Sequence, residues 1–239
     1  MTRILVVNSN TTDSVTARIH NAALAAAGPG VAVRSVTAPF GLPLIVSRAD
    51  WLVAGPATLA ALSAARGEYD AAVIACFGDP GLDAAKELLD VPVLGISEAA
   101  FHAACMLGRR FGVVSFTAAL QPMFEECLDH HGLRARCAGF RMGPAFAGDP
   151  GRVAEDRRDL LLELVQASIT QDGAEVVILA GGPLAGVAAT LQPHVAVPLV
   201  DGVAAGVRLA AGLVGMVPKR AVRSRTLTGF GDELARLYQ

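Results

Sequence analysis

The sequence predicts an α/β protein of two pseudosymmetric Rossmann-like lobes, each a parallel sheet flanked by helices, facing each other across a cleft. Three observations carry that prediction. Short β-branched runs alternate along the chain with longer Ala- and Leu-rich segments of helical spacing. The 239 residues are 53% hydrophobic but only 5% aromatic, so Ala, Val and Leu supply the apolar surface, as layered α/β packing requires. The strand-to-loop junctions of the first half recur in the second at nearly the same separation: 68 residues from Asn8 to Cys76, and 66 from Ser115 to Gly181.

The elements follow in order. Residues 4–7 read as a buried strand ending in Asn8-Ser9-Asn10-Thr11-Thr12, whose side chains can cap the next helix. That helix places Val15, Ile19 and Ala22 on one face and stops at Gly28. Residues 31–36 alternate as a second strand, and a helix spans 51–65 with Pro56 either near its start or kinking it. Strand 71–75, helix 81–89, strand 91–96 and helix 98–107 complete the first series. The second series runs strand 111–115, helix 118–130, strand 134–140, helix 153–169, strand 176–179, helix 184–191 and strand 197–200. A last helix begins near Gly202 and returns toward the first half. Residues 1–97 with about 203–239 are thereby expected to form one lobe, and 98–202 the other.

Composition excludes several partners. Lys and Arg number 20 against 22 Asp and Glu, which leaves no basic face for a phosphate backbone, so no nucleic acid is expected. The longest uncharged stretch, 176–200, is broken by Gly181, Gly182, Pro183, Pro193 and Pro198, which rules out a membrane span and any membrane partner. The apolar run at 4–7 is too short for a secretion signal, so a cytoplasmic protein is expected. Cys76, Cys105, Cys127 and Cys137 form no CxxC pair, which argues against disulfides and a structural zinc centre. With no GxGxxG or P-loop spacing, a nucleotide cofactor has no support, and no cofactor or metal is expected. The basic cluster at 219–225 reads as a solvated or subunit-facing segment before an amphipathic turn at 233–237.

In parallel sheets ligands sit at the carboxyl ends of strands, where all four junctions lie. Cys76 follows a buried strand and precedes Phe77-Gly78-Asp79-Pro80-Gly81, a loop whose glycines let a ligand approach the backbone. A thiol at a helix N-terminus is pushed toward thiolate and can act as a base; the structural alternative is a small buried hydrophobe ending a strand. Asn8, Asn10 and Thr11 offer amide and hydroxyl groups suited to a carboxylate or imide carbonyl, with Ser115 and Thr117 at the equivalent junction. Backbone N–H groups around Phe77-Gly78 and Gly181-Gly182 are candidates to hold a developing enolate oxygen. Each group also has a plain structural reading: Asn8 to Thr12 as a capping turn, Gly181-Gly182-Pro183 as a tight turn, Asp79 as the cap of the helix after Pro80, and Trp51 as packing. Cys105, Cys127 and Cys137 fall on two helices and a strand, as core residues do.

The runs Asn8-Ser9-Asn10-Thr11-Thr12, Ile74-Ala75-Cys76-Phe77-Gly78-Asp79-Pro80-Gly81-Leu82-Asp83-Ala84 and Gly95-Ile96-Ser97-Glu98-Ala99-Ala100 resemble the aspartate/glutamate racemase superfamily, most of all its hydantoin racemase branch. The resemblance spans nearly the whole chain. It implies a cofactor-independent racemase or epimerase of a small hydantoin or amino-acid-like substrate, assembled as a homo-oligomer. Each half of such an enzyme supplies one cysteine, one thiolate removing the α-proton and the other thiol returning a proton to the opposite face. Cys76 matches the first cysteine. Where the family reads Gly-Cys-Ala-Gly-Met, this chain reads Ala180-Gly181-Gly182-Pro183-Leu184, so Gly181 replaces the second. Three outcomes follow for an enzyme: a racemase whose far face is served by another group such as His194, Asp201 or water; a single-cysteine decarboxylase of a malonate-like acid; or an isomerase adding Cys76 to a maleate-like acid. A non-catalytic small-molecule binding protein is the alternative from another class.

Overall fold

The computed structural model describes residues 1–218, 231, 234 and 236–238. In the first half, β1 (Thr2–Asn8), α1 (Asp13–Ala26), β2 (Val31–Thr37), α2 (Arg48–Ala64), β3 (Ala71–Ile74), α3 (Leu82–Leu88), β4 (Val93–Gly95) and α4 (Ile96–Leu107) follow one another. The second half runs β5 (Phe111–Ser115), α5 (Gln121–His130), β6 (Cys137–Met142), α6 (Val153–Asp156), α7 (Arg158–Asp172), β7 (Val176–Leu179), α8 (Val187–Leu191), β8 (Leu199–Asp201) and α9 (Gly202–Leu213). Every strand pairing is parallel, and the two four-stranded sheets have the same order, β2-β1-β3-β4 and β6-β5-β7-β8. The inner registers also correspond: Val7 lies opposite Ile74 at the end of β1 and β3, as Val114 lies opposite Leu179 at the end of β5 and β7.

The lobes exchange a helix. After β4, α4 packs on β7 and β8 of the second sheet, and after β8, α9 packs on β3 and β1 of the first, as well as on α4 and α1. One hydrophobic core therefore runs through both lobes, joining Val6, Ile19, Val73 and Phe101 to Phe111, Val113, Ile178 and Val203. A second cluster, with Leu5, Val7, Leu62, Ile74 and Leu82, fills the other face of the first sheet and includes Leu234 and Leu237 from the chain's end. The basic cluster at 219–225 lies outside the described residues.

Where the elements differ from the sequence reading, local chemistry explains it. Ser47 and Asp50 close a capping box that starts α2 at Arg48, ahead of Trp51, and Pro56 sits inside a continuous helix. The segment 134–140 divides into a 3₁₀ turn and β6. The long helix expected over 153–169 is split at Arg157, which has left the helical range at φ −117° and ψ 9°. No helix among the described residues is long and apolar enough to cross a membrane.

Candidate active site

Both lobes present their central strand ends to one small cavity. Ala75 N–H donates to Val7 O at 2.7 Å and Ala180 N–H to Val114 O at 2.8 Å, so the two chains leave their sheets identically. Beyond these bonds, Cys76 and Phe77 from one lobe and Gly181, Gly182 and Pro183 from the other line a cavity of about 30 Å³, completed by Asn10, Leu44, Ile45, Phe116, Leu120 and Phe124. That volume holds a water or two and no organic ring.

Cys76 stands half-buried among apolar side chains, 3.8 Å from its neighbour's Phe77 O. Burial, with the Asp79 carboxylate adding to it, pushes the thiol pKa up to about 12, so the resting side chain is a neutral thiol. Its loop is held from three directions. Gly78 N–H donates to Ser97 Oγ at 2.6 Å, and Trp51 Nε1–H donates to Gly78 O at 2.9 Å. The Asp79 carboxylate accepts Ser97 N–H at 2.9 Å and Glu98 N–H at 2.8 Å, capping α4 across the loop instead of the helix after Pro80. Asp79 does so with a left-handed backbone, φ 52°, a strained conformation for a side-chain-bearing residue. Phe77 fills the space behind, packed against Phe101 and Phe124.

The opposing loop has no side chain to offer at the matching place. Gly181 has φ 131°, where L side chains rarely fit, and a Cβ on Gly182 would lie 2.9 Å from Ala75 O. The lobes thus meet backbone to backbone. Ser115 Oγ donates to Ala180 O at 2.7 Å, and Asp201, capping α9 through Val203 and Ala204 N–H, also accepts Gly186 N–H. Burial raises the Asp201 pKa against the lowering effect of these three bonds.

Of the residues singled out from the sequence, Cys76, Asn10, Phe77, Gly181 and Gly182 come together at the cavity. Asn10 Oδ1 accepts Asn8 Nδ2 and Thr12 N–H, which leaves its own Nδ2 without a partner among the described residues. Five others lie outside the cavity lining. Asn8 Nδ2 donates to Asn10, Thr12 O and Thr16 Oγ1, so Asn8 shapes the turn; Ser115 is spent on Ala180 O. Gly78 borders a neighbouring pocket, and its N–H is taken by Ser97. Thr11 N–H goes to Leu42 O, and Thr117 is buried at the turn before α5. His194 is exposed beside Arg158, remote from the cavity lining. The apolar wall of Leu44, Ile45, Phe116, Leu120, Phe124 and Pro183 was not singled out. Its signal was present only for Phe116, which sits between Ser115 and Thr117.

Two like α/β lobes close strand-end loops on a shared cavity, with a thiol on one wall. The Asp/Glu/hydantoin racemase profile matches residues 4–210, and the chain belongs to that family and with it to the isomerases. Hydantoin racemase of Pseudomonas sp. (strain NS671) is 34% identical over 218 residues, which cover 91% of this chain and 88% of that protein. Among solved structures, allantoin racemase from Klebsiella pneumoniae superposes with a TM-score of 0.85 at 32% identity, covering 98% of this chain and 93% of its own. Allantoin racemase from Pseudomonas fluorescens gives 0.84 at 32% identity, over 98% and 96%.

Proposed function

We propose that the protein racemises 5-substituted hydantoins, cyclic ureides of the kind its relatives are named for, by proton transfer through Cys76 alone. The observation that carries this reading is the meeting of Cys76 with Gly181-Gly182 across one cavity at the carboxyl ends of both central strands. Once the Cys76 thiol has given its proton to solvent on substrate binding, the thiolate takes the C5 proton from one face, forming the thiol and a planar enolate. The Asn10 amide and the N–H groups of Phe77 and Gly182 hold the enolate oxygen. Water in the space beside Gly181 returns a proton to the opposite face, and the resulting hydroxide recovers the proton held by Cys76. The free thiols suit a reducing compartment, the cytoplasm.

The test is solvent-deuterium exchange at C5 of both enantiomers of allantoin and other 5-substituted hydantoins. Exchange of both enantiomers above the buffer rate is expected; the absence of exchange with every substrate overturns the reading.

A second reading is favoured by one observation, the neutral Cys76 thiol facing a glycine. A thiol that is already protonated and has no partner suits one-sided delivery of a proton to a carbanion left by loss of CO₂ from a disubstituted malonate. Release of CO₂ with a single product enantiomer would select it.

A further inference from the structure

Beside the cleft, a second pocket of about 220 Å³ borders the next residues of the Cys76 loop, Gly78 and Asp79. Among its lining residues, Asp79, Cys127 and His131 bring a carboxylate oxygen, a thiol sulfur and an imidazole nitrogen within 4.8 Å of one another. Cys127 and His131 are four residues apart, on one face of α5 and its C-terminal cap. Asp79 arrives from the other lobe's loop, fixed by the two N–H groups of α4. The Asp79 and His131 side chains are only 3% and 10% exposed, yet Asp79 Oδ2 and His131 Nε2 stand 3.9 Å apart, too far for a hydrogen bond. A buried carboxylate and a buried imidazole thus face each other across a gap that neither closes.

We propose that Asp79, Cys127 and His131 form a three-ligand site for a thiophilic divalent cation of the zinc class, with the fourth position open to the pocket. The donor set of one oxygen, one sulfur and one nitrogen is that of zinc, whose bonds of about 2.0–2.3 Å require the side chains to close by roughly 1 Å. The charges balance: one carboxylate and one thiolate offset the dication, and the imidazole binds neutral. Binding forms a sulfur–metal bond as the Cys127 S–H proton leaves to solvent, with no change of oxidation state. The surroundings favour a cation. Glu98, beside Asp79, pairs with Lys86 through Oε1, while its Oε2 is buried with no hydrogen-bond partner among the described residues. The pocket's own cation, Arg48, is engaged by Glu126. The N–H bonds from Ser97 and Glu98 orient the Asp79 carboxylate, as the outer partners of metal ligands do. Cysteine spacing alone argued against zinc because this set mixes three residue types from two distant segments. The site stands apart from the Cys76 chemistry and does not depend on it.

The full chain, stripped with a chelator, is titrated with Zn²⁺ by calorimetry and with Co²⁺ by absorption. One ion per chain is expected, with a thiolate-to-cobalt charge-transfer band in the near ultraviolet and a melting temperature that rises with Zn²⁺. Cys127→Ser is expected to abolish the band and the thermal shift, and His131→Gln to weaken affinity at least about tenfold. Cys76→Ser should leave both in place. The proposal is overturned if the native protein takes up no stoichiometric ion, if the band survives Cys127→Ser, or if it disappears in Cys76→Ser, which would place the ion on the active-site thiol.

Discussion

The loops after β3 and β7 leave their sheets through the same hydrogen bond and then diverge. The first carries Cys76 and is pinned by Ser97, Trp51 and the Asp79 carboxylate. The second carries Gly181 in a backbone conformation that L side chains rarely adopt, and Gly182 pressed against the carbonyl of Ala75. Each lobe also has a carboxylate latch between its loop and the helix N-terminus beside it, supplied from opposite ends. Asp79 reaches from the loop to α4, whereas Asp201 reaches from the start of α9 to the loop at Gly186. The difference teaches that one framework carries two unlike loops: the first presents a thiol to the cavity, the second the backbone of Gly181 and Gly182.

Removing the one thiol is the severest way to break this asymmetry. Cys76→Ala is expected to lower C5 proton exchange by at least about 10³-fold with the melting temperature nearly unchanged, measured by deuterium incorporation and thermal unfolding. Next in size is the reactivity of that thiol. A pKa raised to about 12 keeps Cys76 protonated through neutral and mildly alkaline pH, so its alkylation by iodoacetamide should still be climbing above pH 10, where an ordinary thiol has levelled off. A plateau near pH 9, followed by mass spectrometry of the Cys76 peptide, would contradict the apolar environment described here.

The two latches sharpen the comparison at smaller cost. Asp79→Ala and Asp201→Ala each strip a buried acceptor from backbone N–H groups, and each should destabilise by about 2–3 kcal/mol in denaturant titration. Only Asp79→Ala should also slow exchange, because only that latch holds the thiol's loop. Smallest is the attempted restoration: Gly181→Cys should cost about 1–3 kcal/mol in backbone strain and raise racemisation less than about tenfold. A larger gain would show that the second loop still accepts the two-thiol design.

Much of this molecule was legible in its sequence. Strands such as Phe111–Ser115 and Val176–Leu179 are buried on both faces and read as unbroken apolar runs, and the near-equal spacing of Asn8–Cys76 and Ser115–Gly181 pointed to two copies of one α/β unit, as the matching sheet orders show. Cys76 was legible for a related reason: a thiol directly after a buried strand has few places to be. The polar residues of the junctions were harder, because Asn8, Asn10 and Ser115 carry groups equally able to bind a ligand or the backbone. Which one they serve depends on neighbours such as Thr16 and Ala180, far from them in sequence.

Local pattern by itself determined the strands, the helices, the duplication and the place of Cys76 directly after a buried strand, because periodicity and turn chemistry act over a few residues. Only the tertiary structure decided that Asp79 caps α4, that Leu44 and Ile45 close the cavity, and that Cys127 and His131 meet Asp79 beside it. Those contacts arise where the lobes dock and trade helices, and the energies that select them come from burial and hydrogen bonding between segments whose separation along the chain carries no periodic signal.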